Sequence, residues 1–237
     1  YGSSTSSGSI TIRAVNSGDN GVSGWLSFSS GTASVGNSGS ISVGSDRATN
    51  GKAGSIRVTV GAGNTGDGGG VWIFAGQTTA DDKVGGMVSI RGGISYTTTA
   101  LGKGGSVEIG GGAGSGHSGG AVSVLSGYGS MTSSGSVTVR TMNSGNVGVS
   151  GRLSFSSGTA SVGNSGSISV GSDRATNGKA GSIRVTVGAG NTGDGGGVWI
   201  FAGQTTVDDK VGGMVSIRGG ISYTGTTLGK GGSVEIG

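Results

Sequence analysis

Gly116-His117-Ser118-Gly119-Gly120 has the G-x-S-x-G spacing of a nucleophile elbow. A serine there needs a separate base to take its proton, and His117 is the only histidine in the chain. It sits beside Ser118, and no helical pattern follows, so the stretch reads as a turn. Gly61-Ala62-Gly63-Asn64-Thr65-Gly66 matches G-x-G-x-x-G. That loop holds a pyrophosphate where a helix N-terminus follows it, and here an alternating strand pattern follows instead. Asp81-Asp82-Lys83 and Asp208-Asp209-Lys210 are the only adjacent acid pairs. Calcium needs about six or more oxygens, and calcium-binding rolls carry an Asp in each turn. The nearest matches, Asp67 and Asp194, do not recur at the short period. These residues predict no catalytic site, no metal site and no cofactor, and a protein that is not an enzyme.

The residues best suited to an intermolecular contact are aromatic. Val71-Trp72-Ile73-Phe74 recurs as Val198-Trp199-Ile200-Phe201. Alternation puts Val71 and Ile73 on one face of a strand and Trp72 and Phe74 on the other. The small aliphatic pair is expected inside and the aromatic pair outside. In a parallel register Arg57 and Arg91 flank the first pair, and Arg184 and Arg218 flank the second. Two uses follow: cation–π ladders within the chain, or an exposed strip that meets another copy or a glycan.

Whatever positions these strips is repetitive. Residues 1–110 align with 128–237 at an offset of 127, with 11 differences, among them Trp25 against Arg152 and Asn20 against Val147. A shorter unit lies inside, with the core Gly-(Gly/Ser)-x-(Val/Ile)-x-(Val/Ile), as in GSISVG, GSIRVTV, GGVWIF and GGSVEIG. Its first apolar residues are Ile10, Leu26, Ile41, Ile56, Val71, Val88, Val107, Val122 and Val137. Most spacings are 15 or 16, and longer ones carry insertions around Thr78–Val84 and Tyr96–Gly104. Residues 1–127 thus hold eight units, and 128–237 a truncated second set. Asn-Gly, Gly-Asp-Gly and Gly-Lys-Ala-Gly segments between the cores supply turns.

Composition limits the partners. The chain has 237 residues, 60 of them Gly, with no Pro and no Cys. Proline interrupts backbone ladders, so its absence suits strands. Without Cys there is no disulfide framework. The net charge is +4, but Lys and Arg are scattered singly, which argues against a nucleic-acid groove. No apolar run is long enough to span a membrane. No Asn-x-Ser/Thr sequon occurs, while exposed Ser and Thr leave O-glycosylation open.

These features predict an all-β fold: one continuous parallel β-solenoid (a β-helix or β-roll), with a 15–16-residue repeat nested in the 127-residue one. Ile41, Ile56 and Val71 would stack in one inner column. A coil of about thirty residues with two main strands is the next reading, and an antiparallel sandwich the third. Both chain ends read as ordinary repeat sequence, so a fragment or a protomer open to end-to-end stacking is expected. Eight coils at the inter-strand spacing would rise about 38 Å per long repeat.

SSGSITIR, SGNSGSISVGS and GGSVEIGGGAGSGHSGG resemble the Gly/Ser-rich repeat surface or matrix proteins of microalgae and other aquatic microbes. The resemblance covers the whole chain and implies an extracellular or cell-surface location. It also extends to the β-rolls of ice-binding proteins and repeat adhesins. The expected function is structural: a homopolymeric filament, surface hair or matrix built by end-to-end solenoid stacking, with self as partner and glycans as a second partner. The alternative is an adhesin stalk or an ice-binding β-roll. Ice binding needs a regular Thr array, and Thr32, Thr49, Thr65 and Thr78 provide one only with interrupted spacing.

Overall fold

The computed structural model describes residues 7–96, 102–222 and 230–236. The chain-end residues 1–6 and 237 lie outside them, as do residues 97–101, the larger part of the insertion expected around Tyr96–Gly104. Among the described residues there is no α-helix and no β-strand. The chain is extended coil broken by bends, which corrects the expected all-β parallel solenoid and the nested β units built on it.

The first physical reason lies in the number of reversals. In the unit Tyr1–Ser123 the chain bends at residues 19–21, 34–36, 49–51, 64–66, 80–82 and 115–117. In the unit Val124–Gly237 it bends at 130–132, 146–148, 161–163, 176–178, 191–193 and 207–209. One bend thus separates Ile41 from Ile56, and one separates Ile56 from Val71. A solenoid coil must reverse twice to return its next strand parallel to the last. A single reversal sends the next segment back antiparallel.

The contacts flanking the bends have that antiparallel sense. Gly112 bonds Gly120, and nearer the bend Gly114 faces the Ser118 carbonyl. Gly127 bonds Gly135, and Gly129 faces Ser133. Val60 lies beside Gly69, with Gly63 beside Gly66 further in. The two-stranded coil fails as well, since its strands would face each other across a core. Here the flanks of a bend meet directly, backbone to backbone.

Each meeting point is a neck that glycine makes possible. In the first unit Gly86 N–H donates to Gly76 O at 2.7 Å, Gly105 to Gly93 at 2.8 Å and Gly120 to Gly112 at 2.8 Å. In the second unit Gly135 donates to Gly127 at 2.9 Å, Gly213 to Gly203 at 2.8 Å and Gly232 to Gly220 at 2.8 Å. Every donor and acceptor is glycine. A methyl group on Gly111 would overlap the Gly120 carbonyl, and one on Gly92 would overlap the Gly105 carbonyl. The Gly-Gly that opens many units therefore lets two backbones close on each other. In two units that open with Gly-Ser, a side chain does part of this work: Ser45 Oγ donates to Gly54 O at 3.0 Å, and Ser172 Oγ to Gly181 O at 3.0 Å.

Among the described residues no ladder continues beyond the necks and no residue is buried. Ile41, Ile56 and Val71, expected in one inner column, are 55%, 56% and 55% exposed. The chain exposes 24288 Å² for its 22.4 kDa. A compact monomer of that mass would expose about 9,400 Å² and a fully extended chain about 32,500 Å². The energetic reason is the thin apolar content of each unit. Two or three aliphatic side chains cannot offset the ordering of fifteen residues, many of them glycine, the costliest residue to fix. The stacking that would share this cost between coils requires the parallel return that a single bend does not provide.

Bend chemistry is local. Gly36 and its copy Gly163 adopt φ of 97° and 98°, a region that side chains disfavour. At the aspartate bends Asp82 and Asp209 take this role, with φ of 55° and 59°. Asp is one of the few side-chain-bearing residues that visit the left-handed region.

Candidate functional site

The aromatic strip is built by an extended backbone. Residues two apart rise about 6.6 Å and point the same way, so Trp72 and Phe74 stand side by side. Their ring centroids are 6.3 Å apart with planes 10° from parallel. Trp199 and Phe201 repeat this at 6.3 Å and 8°. The spacing lies within the range of favourable offset stacking. The indole also leans back over the residue two before it. A Cβ on Gly70 would come within 3.2 Å of Trp72 Nε1, and one on Gly197 within 3.0 Å of Trp199 Nε1. Glycine thus leaves the space in which each indole lies, and Phe closes the other side.

Trp72 is 78% exposed and Phe74 83%, and the copies match them. Val71 and Ile73, expected inside, are exposed too. The strip therefore has two open faces, one aromatic and one aliphatic. Arg57, Arg91, Arg184 and Arg218 are all exposed. The ring contacts among the described residues join Trp to Phe, so stacking here is aromatic on aromatic.

The other candidate motifs resolve into bends. His117 ends the bend at 115–117, and Ser118 follows it with its carbonyl against Gly114. Asp81 and Asp82 form the bend at 80–82, where Ala80 N–H donates to Thr78 Oγ1 at 3.3 Å. Val207 N–H donates to Thr205 Oγ1 at 3.3 Å in the copy. These threonines shape the approach to the acid pair. Among the described residues no three His, Asp or Glu side chains gather closely enough to hold a metal ion.

The sequence reading missed the serine latches at Ser45 and Ser172 and the Ser17 Oγ to Gly21 O bond at 2.9 Å. Both latches join a Ser to the Gly of a Gly-Ser pair nine residues on, with one bend between them, but Ser30 and Gly39 share that spacing without the bond, so spacing alone does not find them.

No protein family, curated protein or solved structure matches this chain. No helix among the described residues is long and apolar enough to cross a membrane.

Proposed function

We propose that this chain is a structural protein that buries its apolar face against further copies of itself, forming an extracellular filament, surface hair or matrix. One observation carries the reading: a period-two aliphatic pattern recurs in unit after unit, and its side chains stand exposed in the single chain. Monomeric proteins rarely leave so extensive an apolar surface open. Extended segments with unpaired N–H and C=O groups and no proline are templates for pairing with another chain. The resemblance to Gly/Ser-rich surface and matrix proteins supports the extracellular assignment.

The test is concentration dependence. Sedimentation, electron microscopy and circular dichroism should show fibres or large assemblies, with a β signal that grows with protein concentration. A chain that stays monomeric and coil-like at high concentration overturns the proposal.

The stacked rings favour a second reading, a glycan-binding module. Two flat, exposed apolar plates match the C–H faces of sugar rings, and arginines elsewhere on the same chain can serve hydroxyl or acidic groups. Binding to an immobilised polysaccharide that is lost in Trp72→Ala/Trp199→Ala, with assembly intact, would favour this reading over self-association as the role of the strip.

A further inference from the structure

Ten asparagines occur in the chain, and three precede glycine: Asn20-Gly21, Asn50-Gly51 and Asn177-Gly178. All three steps fall within bends, at 19–21, 49–51 and 176–178, and all six residues are exposed. None of the hydrogen bonds among the described residues engages the N–H of Gly21, Gly51 or Gly178. Gly21 uses only its carbonyl, which accepts from Ser17 Oγ. Each bend therefore holds an amide nitrogen free to react, one residue after a side-chain amide, with no Cβ on the nucleophile's own residue to block the approach.

We propose that Asn20, Asn50 and Asn177 are self-modifying sites, where the following glycine nitrogen displaces ammonia from the asparagine side chain. The glycine N–H loses its proton to solvent hydroxide, and the nitrogen forms a bond to Asn Cγ. The Cγ–Nδ2 bond breaks, and ammonia leaves after taking a proton from water. Water then opens the resulting five-membered imide at either carbonyl. One opening gives aspartate, and the other gives isoaspartate, whose main chain runs through the former side chain. No oxidant or cofactor is involved.

The long repeat supplies an internal control. The position of Asn20 is Val147 in the second copy, while Asn50 and Asn177 occupy equivalent positions. The conversion therefore acts once at the first site and twice at the second. Every conversion adds one negative charge to a chain of net charge +4. The isoaspartate form also lengthens the backbone inside a bend. The remaining asparagines precede Ser, Thr or Val, whose Cβ crowds the attacking nitrogen.

The experiment incubates the purified full chain at mildly alkaline pH and follows each asparagine by peptide-mapping mass spectrometry, with isoaspartate scored by enzymatic methyl transfer. Asn20, Asn50 and Asn177 should convert at least about tenfold faster than Asn64 and Asn191, the rate change of a ~1.4 kcal/mol barrier difference, and faster still as pH rises. In Gly51→Ala, Asn50 should slow by a similar factor while Asn177 in the same molecule keeps its rate. Comparable rates at Asn64 and Asn50, or an Asn50 unaffected by Gly51→Ala, would overturn the proposal. The result does not depend on whether the chain assembles.

Discussion

Trp72 and Phe74 lie with ring centroids 6.3 Å apart and planes 10° from parallel, held by nothing more than an extended backbone and the open space at Gly70. The pair is thus preorganised before any partner arrives. Gly70→Val should push the indole off its seat and weaken the near-ultraviolet dichroism of the strip. Gly68→Val is the matched control, since a Cβ at Gly68 meets nothing. The stacking contributes about 0.5–1.5 kcal/mol, so the expected change is a partial loss of ring order. Equal spectra for the two variants would show that Gly70 does not seat the indole.

The necks make a second prediction. Gly111→Ala places a methyl group into the Gly120 carbonyl and should open the Gly120 N–H to Gly112 O bond. A hydrogen bond of this kind contributes about 1 kcal/mol net, so exchange of the Gly120 amide should quicken several-fold. Gly116→Ala, inside the same bend but with open space around it, should leave that amide as it was. Nuclear magnetic resonance of the two variants decides the matter.

A third prediction concerns the left-handed aspartates. Asp82→Val forces a β-branched residue into φ near 55° and should destabilise the bend by roughly 1–2 kcal/mol. Asp82→Gly should act in the opposite direction. The amide of Gly86, bonded to Gly76 across that bend, reports both: faster exchange in the valine variant and slower in the glycine variant. A shift of the same sign in both would refute the argument.

Ice binding makes the fourth. Thr49 and Thr65 lie inside bends, and Thr78 Oγ1 is engaged by Ala80 N–H. Without a ladder these threonines have no fixed lattice to offer ice. The purified chain should produce no thermal hysteresis; clear hysteresis would promote the ice-binding alternative.

How much of this was legible in the sequence varies by element. The period of fifteen, the Asn- and Gly-rich bends and the shared face of Trp72 and Phe74 follow from spacing alone, whereas the stacking of the two rings on each other does not. The solenoid did not follow, although the same spacing suggested it. A fifteen-residue unit accommodates one reversal or two, and only the backbone path at 49–51 and 64–66 distinguishes them. Alternation at Ile41 and Val43 marks an apolar side, yet it cannot say whether that side closes within one chain or between chains. The role of the Gly-Gly pairs was similarly hidden. Gly119-Gly120 reads as the opening of a strand core, and only the contact of its backbone with Gly111-Gly112 shows what the pair does.

The glycine necks also give the chain a hidden reserve of length. Gly76 and Gly86 are joined by one hydrogen bond, and the nine residues between them are held out of the line of pull. Tension along the backbone loads that bond first. Once it parts, the loop straightens and releases about 30 Å of contour. Gly112 and Gly120 release somewhat less, because their loop holds seven residues. No side-chain core must be torn open, and the bond re-forms when the load is removed. Such a strand yields in small, separate, recoverable steps, as a shock-absorbing tether does.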